Sequence, residues 1–315
     1  MRKRRVHPLV VTAVALTALI ALTGCRHGAT HGPTASTAST ASTARRAPAG
    51  STTSARPKAQ SSAAARRAQA AATPPPIPIL MYHVIASPPP HYPWWRLFVT
   101  PALFARQMAA LRQAGYQAIT LRQAYAIWAG RAQPPAHPVV LSFDDGYQSQ
   151  YTAALPVLRR LGWPALLNLQ VGRIGVPGGL SQSQVRGLLA AGWEVADHTV
   201  THPDLTTLAP AALEREVAGS RRTLRRDFGV RVRFFCYPAG RYNPAVIASV
   251  RRAGFLAATT TWPGIAYPPV GGWWTLNRVR VDANEAPARL LAVLRWYESH
   301  PPAAPPAAFP VPVRS

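Results

Sequence analysis

The residues of this chain most able to do chemistry are two adjacent carboxylates and two imidazoles. Asp144 and Asp145 end the run Val139-Val140-Leu141-Ser142-Phe143-Asp144-Asp145-Gly146, and His198 and His202 lie four apart in Asp197-His198-Thr199-Val200-Thr201-His202-Pro203. Two imidazoles and one carboxylate form a three-ligand set that leaves positions open for water and substrate, which is how catalytic rather than structural zinc is held. Pro203 disfavours a helical backbone at His202, so the imidazoles are expected to converge from a turn after a strand. The bland alternatives are a solvated Asp-Asp-Gly turn and two surface histidines. His83, in Leu80-Met81-Tyr82-His83-Val84-Ile85, reads on its own as a satisfied core residue.

The elements that must position these groups follow from the pattern around them. Apolar residues before Asp144 suit a strand buried on both faces, and Gly146 permits a backbone turn at its end. Neighbours on an extended strand face opposite ways, so the two aspartates can do different jobs only if the chain turns between them. Strand signals at 77–85, 116–119, 139–145, 165–170, 193–196, 232–237, 255–259 and 278–281 alternate with helical periodicity at 101–114, 121–130, 151–161, 181–191, 210–228, 244–253 and 286–296. Such alternation with short connections predicts βαβ units in a (β/α) barrel, a distorted seven-stranded TIM-like barrel, rather than an open doubly wound sheet. No Gly-x-Gly-x-x-Gly follows the first strand, which counts against a dinucleotide fold. Strand C-termini of a barrel share one face, so His83, Asp144, Asp145, His198 and His202 are expected to meet there.

Charge and composition divide the chain. The 35 basic and 11 acidic residues give a net charge of +24, yet residues 1–76 hold 11 of the basic groups and no acid. Arginines in the remainder are scattered, with no basic helix or aromatic-interleaved motif, so nucleic acid is not the expected partner. Anionic wall polymers or lipid head groups fit better. Residues 1–25 read as a signal peptide: a basic start, an apolar stretch too short to span a bilayer comfortably, and Leu22-Thr23-Gly24-Cys25, which resembles a bacterial lipobox with Cys25 as the lipidated residue. Residues 26–76, rich in Ala, Ser, Thr, Pro and Arg, form an expected disordered tether whose ends would lie on the order of 40 Å apart. Residues 77–300 hold the folded domain, and 301–315 are a Pro-rich tail.

Three motifs carry a family resemblance. Ser142-Phe143-Asp144-Asp145-Gly146, His198-Thr199-Val200-Thr201-His202 and Tyr237-Pro238-Ala239-Gly240 resemble, in order and spacing, those of the polysaccharide deacetylases with a NodB homology domain, carbohydrate esterase family 4. The opening Leu80 to Ile85 further resembles the branch that acts on poly-N-acetylglucosamine. The resemblance implies a deacetylase-type barrel in which Asp145, His198 and His202 bind a divalent metal, Zn2+ first and Ni2+ or Co2+ as alternatives. It makes Asp144 the general base and His83, in the absence of a C-terminal Leu-x-His, the general acid. Tyr237, Pro238 and Ala239 would serve substrate and oxyanion. The implied protein is a monomeric, lipid-anchored surface enzyme acting on an N-acetylglucosamine polymer.

Two positions depart from the family pattern. Cys236 stands where an arginine commonly orients the base, and Ala239 where an aromatic is common, so support for Asp144 is expected to be missing or to come from elsewhere. The alternatives are an O-acetyl esterase of the xylan type and a carbohydrate-binding lipoprotein with a decayed site. Trp94, Trp95, Trp262, Trp273 and Trp274 would stack on sugar or pack the core.

Overall fold

A computed structural model describes residues 74–300 and 304–308. The leader with Cys25 and nearly all of the tether lie outside the described residues. In chain order the strands are β1 (Ile79–Tyr82), β2 (Gln117–Ala118), β3 (Pro138–Asp145), β4 (Leu166–Leu169), β5 (Glu194–Asp197), β6 (Phe234–Cys236), β7 (Ala257–Pro263) and β8 (Leu276–Arg280). The helices are α1 (Pro101–Gln113), α2 (Leu121–Trp128), α3 (Leu155–Leu161), α4 (Gln182–Ala190), α5 (Pro210–Glu214), α6 (Ser220–Phe228), α7 (Pro244–Arg252), α8 (Pro268–Gly271) and α9 (Pro287–Ser299). Local chemistry sets their starts. Thr100 accepts a hydrogen bond from the Leu103 amide ahead of Pro101, and Thr120–Gln123 and Ser181–Gln184 are reciprocal capping boxes for α2 and α4.

All named strand pairings are parallel, in the order β1-β8-β7-β6-β5-β4-β3, and β1 also pairs with β3. Seven strands therefore close a ring, while β2 hangs on the start of β3. Ile79, Val140, Leu166, Ala196, Phe234, Ala257 and Leu276, one from each strand of the ring, form a buried inner cluster with Leu121, Ala124, Ile127 and Trp128 of α2. The second helix thus plugs the bottom of the barrel. The outer faces of the strands pack against the ring of helices; Tyr82, for example, meets Phe104 of α1 edge-on at 5.3 Å and stacks on Phe143 at 5.5 Å.

Side chains two and four residues further along a strand return to the same face. Stepping in twos from the inner cluster reaches Ser142 and Asp144 on β3, Asn168 on β4, His198 just past β5, Cys236 on β6, Thr259 on β7 and Arg278 on β8. The barrel is therefore apolar at its base and polar at its mouth.

Two expected helices are interrupted. The span 210–228 is α5 and α6 joined by a π-helical segment, Arg215–Gly219, and a second π-helical segment, Gln150–Ala154, precedes α3. Such segments recur at functional sites, and each carries a side chain that holds the mouth of the barrel. Gln150 donates to the carbonyls of His83 and Asp144, and Glu216 accepts from the amides of Val200 and Thr201. From the C-terminal tail, the Pro306 carbonyl accepts a hydrogen bond from the Tyr242 hydroxyl.

Candidate active site

The turn after β3 is made by Asp145 itself. Asp145 has φ of 72° and Gly146 has φ of 86°; the left-handed step at Asp145 separates its carboxylate from that of Asp144, as the adjacent-aspartate argument requires. Gly146 is additionally fixed by packing, since a Cβ there would lie 2.6 Å from Leu169 Cδ1. The histidine loop has the same character: Thr199 and His202 have φ of 67° and 61°, a conformation outside the helical region that Pro203 disfavours. Buried Asp197 accepts from the Thr199 amide and from Ser220 Oγ, and Thr199 Oγ1 accepts from the His202 amide. Asp197 touches neither imidazole; it holds the backbone that carries them, and burial pushes its carboxyl up to about 7. Strained φ values clustered in this way are common at functional sites.

The loop places His198 Nε2 at 3.4 Å and His202 Nε2 at 3.7 Å from Asp145 Oδ1, with ring centroids 4.8 Å apart. His198 Nδ1 lies 2.7 Å from the Cys236 carbonyl, so Nδ1–H can donate there and Nε2 is left facing Asp145. Among the described residues, two groups of side chains have the spacing to hold a metal ion: Asp145, His198 and His202, and alternatively Asp144, His198 and Cys236. The first fits better. In the second, the Asp144 oxygens already accept hydrogen bonds from Arg278 and Asn168, and the His198 nitrogen nearest Cys236 is engaged by its carbonyl. Burial would raise Asp145, but its contacts with His198 bring the carboxyl down to about 2.

Asp144 is gripped rather than free. Arg278 Nη1 and Nη2 donate to its two oxygens at 2.7 and 2.8 Å, and Asn168 Nδ2 donates to Oδ1 at 2.7 Å. Burial alone would raise its carboxyl, but the Arg278 charge, His83 and the Arg278 hydrogen bond hold it far below the usual carboxylate range. Of the two expectations raised by Cys236, missing support or support from elsewhere, the second is the one found. The sulfur there is 4.0 Å from Asp144 Oδ2, too weak a contact to orient a carboxylate, and the guanidinium comes from β8 instead. Neither Arg278 nor Asn168 was singled out from the sequence. The available signal was an asparagine in the otherwise apolar run Leu166–Leu169 and an arginine two residues past the inward Leu276 on β8.

His83 Nε2 lies 3.7 Å from Asp144 Oδ2. Burial lowers its imidazole below the ordinary value against the pull of both aspartates. These groups line one pocket of about 440 Å³ together with Tyr92, Trp94, Tyr147, Tyr237, Ala239 and Arg280. Ala239, at φ of 51°, lines the pocket while Pro238 is buried beside it, and the buried Tyr237 hydroxyl has no hydrogen-bond partner. Of the five tryptophans able to stack on sugar or pack the core, Trp94 lines the pocket and is 66% exposed. Trp273 instead packs against Tyr125 and Trp128 of α2, and Trp274 lies under Arg251.

Comparison with known proteins agrees with this geometry. The polysaccharide deacetylase family model matches residues 131–258. A Streptococcus pyogenes deacetylase solved in complex with acetate is 31% identical and superposes with a TM-score of 0.67, over 70% of this chain and 99% of that one. The chain belongs to the polysaccharide deacetylase family. A Bacillus subtilis protein assigned to the polysaccharide deacetylases is 32% identical over 179 residues, 57% of this chain and 64% of that protein. The poly-β-1,6-N-acetyl-D-glucosamine N-deacetylase of Escherichia coli is 41% identical over 68 residues, 22% of this chain and 10% of that one. The chain thus spans less than two thirds of the length of these two deacetylases. Both the resemblance and the seven-stranded barrel expected from the sequence are borne out.

Proposed function

We propose that this protein is a metal-dependent hydrolase that removes N-acetyl groups from an N-acetylglucosamine polymer outside the cytoplasm, held to the membrane by lipid on Cys25. The observation that carries the reading is the convergence, in one pocket, of a carboxylate with two imidazoles and a second carboxylate fixed by Arg278. Similarity to a deacetylase in complex with acetate and to an N-acetylglucosamine polymer deacetylase supports the substrate class.

Asp145, His198 and His202 would hold the divalent ion, Zn2+ by preference, with Ni2+ or Co2+ also compatible with the donors. When bound, such an ion supplies Lewis acidity toward water and the amide carbonyl. The remaining work falls to the chain. Asp144, kept ionised by Arg278, takes a proton from the attacking water, a contribution of about 10²–10⁴-fold. Burial leaves His83 neutral at rest, so it receives that proton from Asp144, 3.7 Å away, and delivers it to the departing nitrogen. Water adds to the carbonyl carbon first, forming the C–O bond and an oxyanion. The C–N bond then breaks as His83 protonates the nitrogen, giving acetic acid and an amine that exchange a proton to leave as acetate and ammonium. Ala239 lines the pocket and its backbone N–H would donate to the developing oxyanion, while Trp94 would offer a stacking face for a sugar ring.

Departures at Cys236 and Ala239 gave the decayed-site reading its force, and Arg278 removes the first of them. Acetate release from chito-oligomers by the purified protein, with and without chelator, tests the proposal; no chelator-sensitive release would overturn it.

A further inference from the structure

In this barrel the helices return antiparallel to the strands, so their C-termini lie at the end opposite the active site. Arginines gather there. Arg159 and Arg160 end α3, Arg225 and Arg226 end α6, and Arg251 and Arg252 end α7, all of them exposed. Those of α6 and α7 lie on linked segments. Arg222, Arg225, Arg226 and Arg231 line one depression, Arg186 of α4 donates to the Asp227 carbonyl beside it, and Arg221 donates to the Ala253 carbonyl at the end of α7. The acids at this end are engaged: Asp227 by Arg226, Glu194 by the Arg122 amide, and Glu298 by the Tyr116 hydroxyl. Cations at helix C-termini favour the helix dipoles, but that accounts for charge within each last turn and not for Arg231 in the loop beyond.

The tether enters at the same end. Ile77, just before β1, pairs with Ala266, and the Pro75 carbonyl accepts from Trp128 Nε1 of the α2 plug. The preceding residues carry no acid and lead back to Cys25. The chain that leads back to Cys25 therefore leaves the domain at this arginine-bearing end, while the pocket opens at the other.

We propose that this arginine-rich face docks on an anionic phospholipid surface and so holds the active site pointing away from the membrane, toward polymer. Each basic group near such a surface adds to binding in a salt-dependent way. The docking of the domain is separable from the lipid anchor, and a full-length Cys25→Ser chain isolates it.

The test is co-sedimentation of that chain with phosphatidylglycerol or phosphatidylcholine vesicles in about 0.15 M salt. Three variants are compared: the Cys25→Ser parent, the same chain with Arg225→Gln, Arg231→Gln and Arg252→Gln, and the same chain with Arg45→Gln, Arg46→Gln and Arg56→Gln in the tether. The proposal expects binding to the anionic vesicles alone, weakened about tenfold or more by the face substitutions and much less by those in the tether, with chito-oligomer deacetylation by the face variant unchanged. Equal binding to both lipids, or parental binding by the face variant, overturns it. Tighter binding to soluble polyphosphate than to vesicles at equal phosphate concentration would assign the face to a wall polymer and also overturn it. Failure here leaves the deacetylase reading intact, since acetate release is measured separately.

Discussion

Arg278 on the last strand closes on Asp144 of the third with both arms of its guanidinium, at 2.7 and 2.8 Å. The two residues are 134 positions apart and meet because β1 pairs with both β3 and β8, which brings the two strand ends to one side of the mouth. Both are buried, so the fork has a structural and a chemical consequence that can be measured separately.

Arg278→Gln leaves a buried carboxylate without its counter-charge and should cost about 3–5 kcal/mol of stability, read by denaturant unfolding. Arg278→Lys keeps the charge but loses the planar fork. It should lower kcat on the order of 10- to 100-fold while one metal per chain is still taken up. A lysine variant with full kcat would show that the base needs no fork.

His83→Ala should reduce deacetylation of an N-acetyl substrate by about 10²–10⁴-fold. On an activated acetate ester, whose phenolate leaves without a proton, the loss should be much smaller. Equal loss on both substrates would make His83 a structural group rather than a proton carrier.

Much of this was legible from residue types and spacing. The alternation of strands and helices predicted the barrel, and the motifs at 142–146 and 198–202 predicted its mouth, because both depend on local periodicity and on chain order. The partners of Asp144 were harder to see. An arginine in Leu276-Asn277-Arg278-Val279-Arg280 is read as inward only once β8 is in register with its neighbours, and the same holds for Asn168 in Leu166-Leu167-Asn168-Leu169. The π-helical segments were also hidden, since an extra residue in a helix leaves the apolar pattern on either side nearly intact. Asp145 as the turning residue ran against propensity, which favours Gly146 alone for that step.

Gly146→Ala should destabilise the domain by about 1–3 kcal/mol, because a methyl group there meets Leu169 at 2.6 Å in a backbone conformation of φ 86°. A melting midpoint matching that of the parent would mean that the turn after β3 can relax at no cost.

Glu194 supplies a pH test away from the site. Burial lifts its carboxyl to about 6 even though it accepts from the Arg122 amide. A carboxyl raised by folding stabilises most below its unfolded value and loses that contribution as pH rises through about 6. Glu194→Gln should therefore gain on the order of 1 kcal/mol relative to the parent between about pH 4 and 7. Thermal unfolding across that range checks it; parallel pH profiles for variant and parent would remove Glu194 as the cause.

The most direct test of the account returns Zn2+ stepwise to metal-free protein while acetate release from N-acetylglucosamine oligomers is followed, with parent and Asp144→Asn chains side by side. The account predicts that activity of the parent rises to a plateau at one equivalent of metal, and that the Asn variant binds the same equivalent but releases acetate at least about 10²-fold more slowly. Full activity in the metal-free parent, or an undiminished rate in the variant, would contradict it.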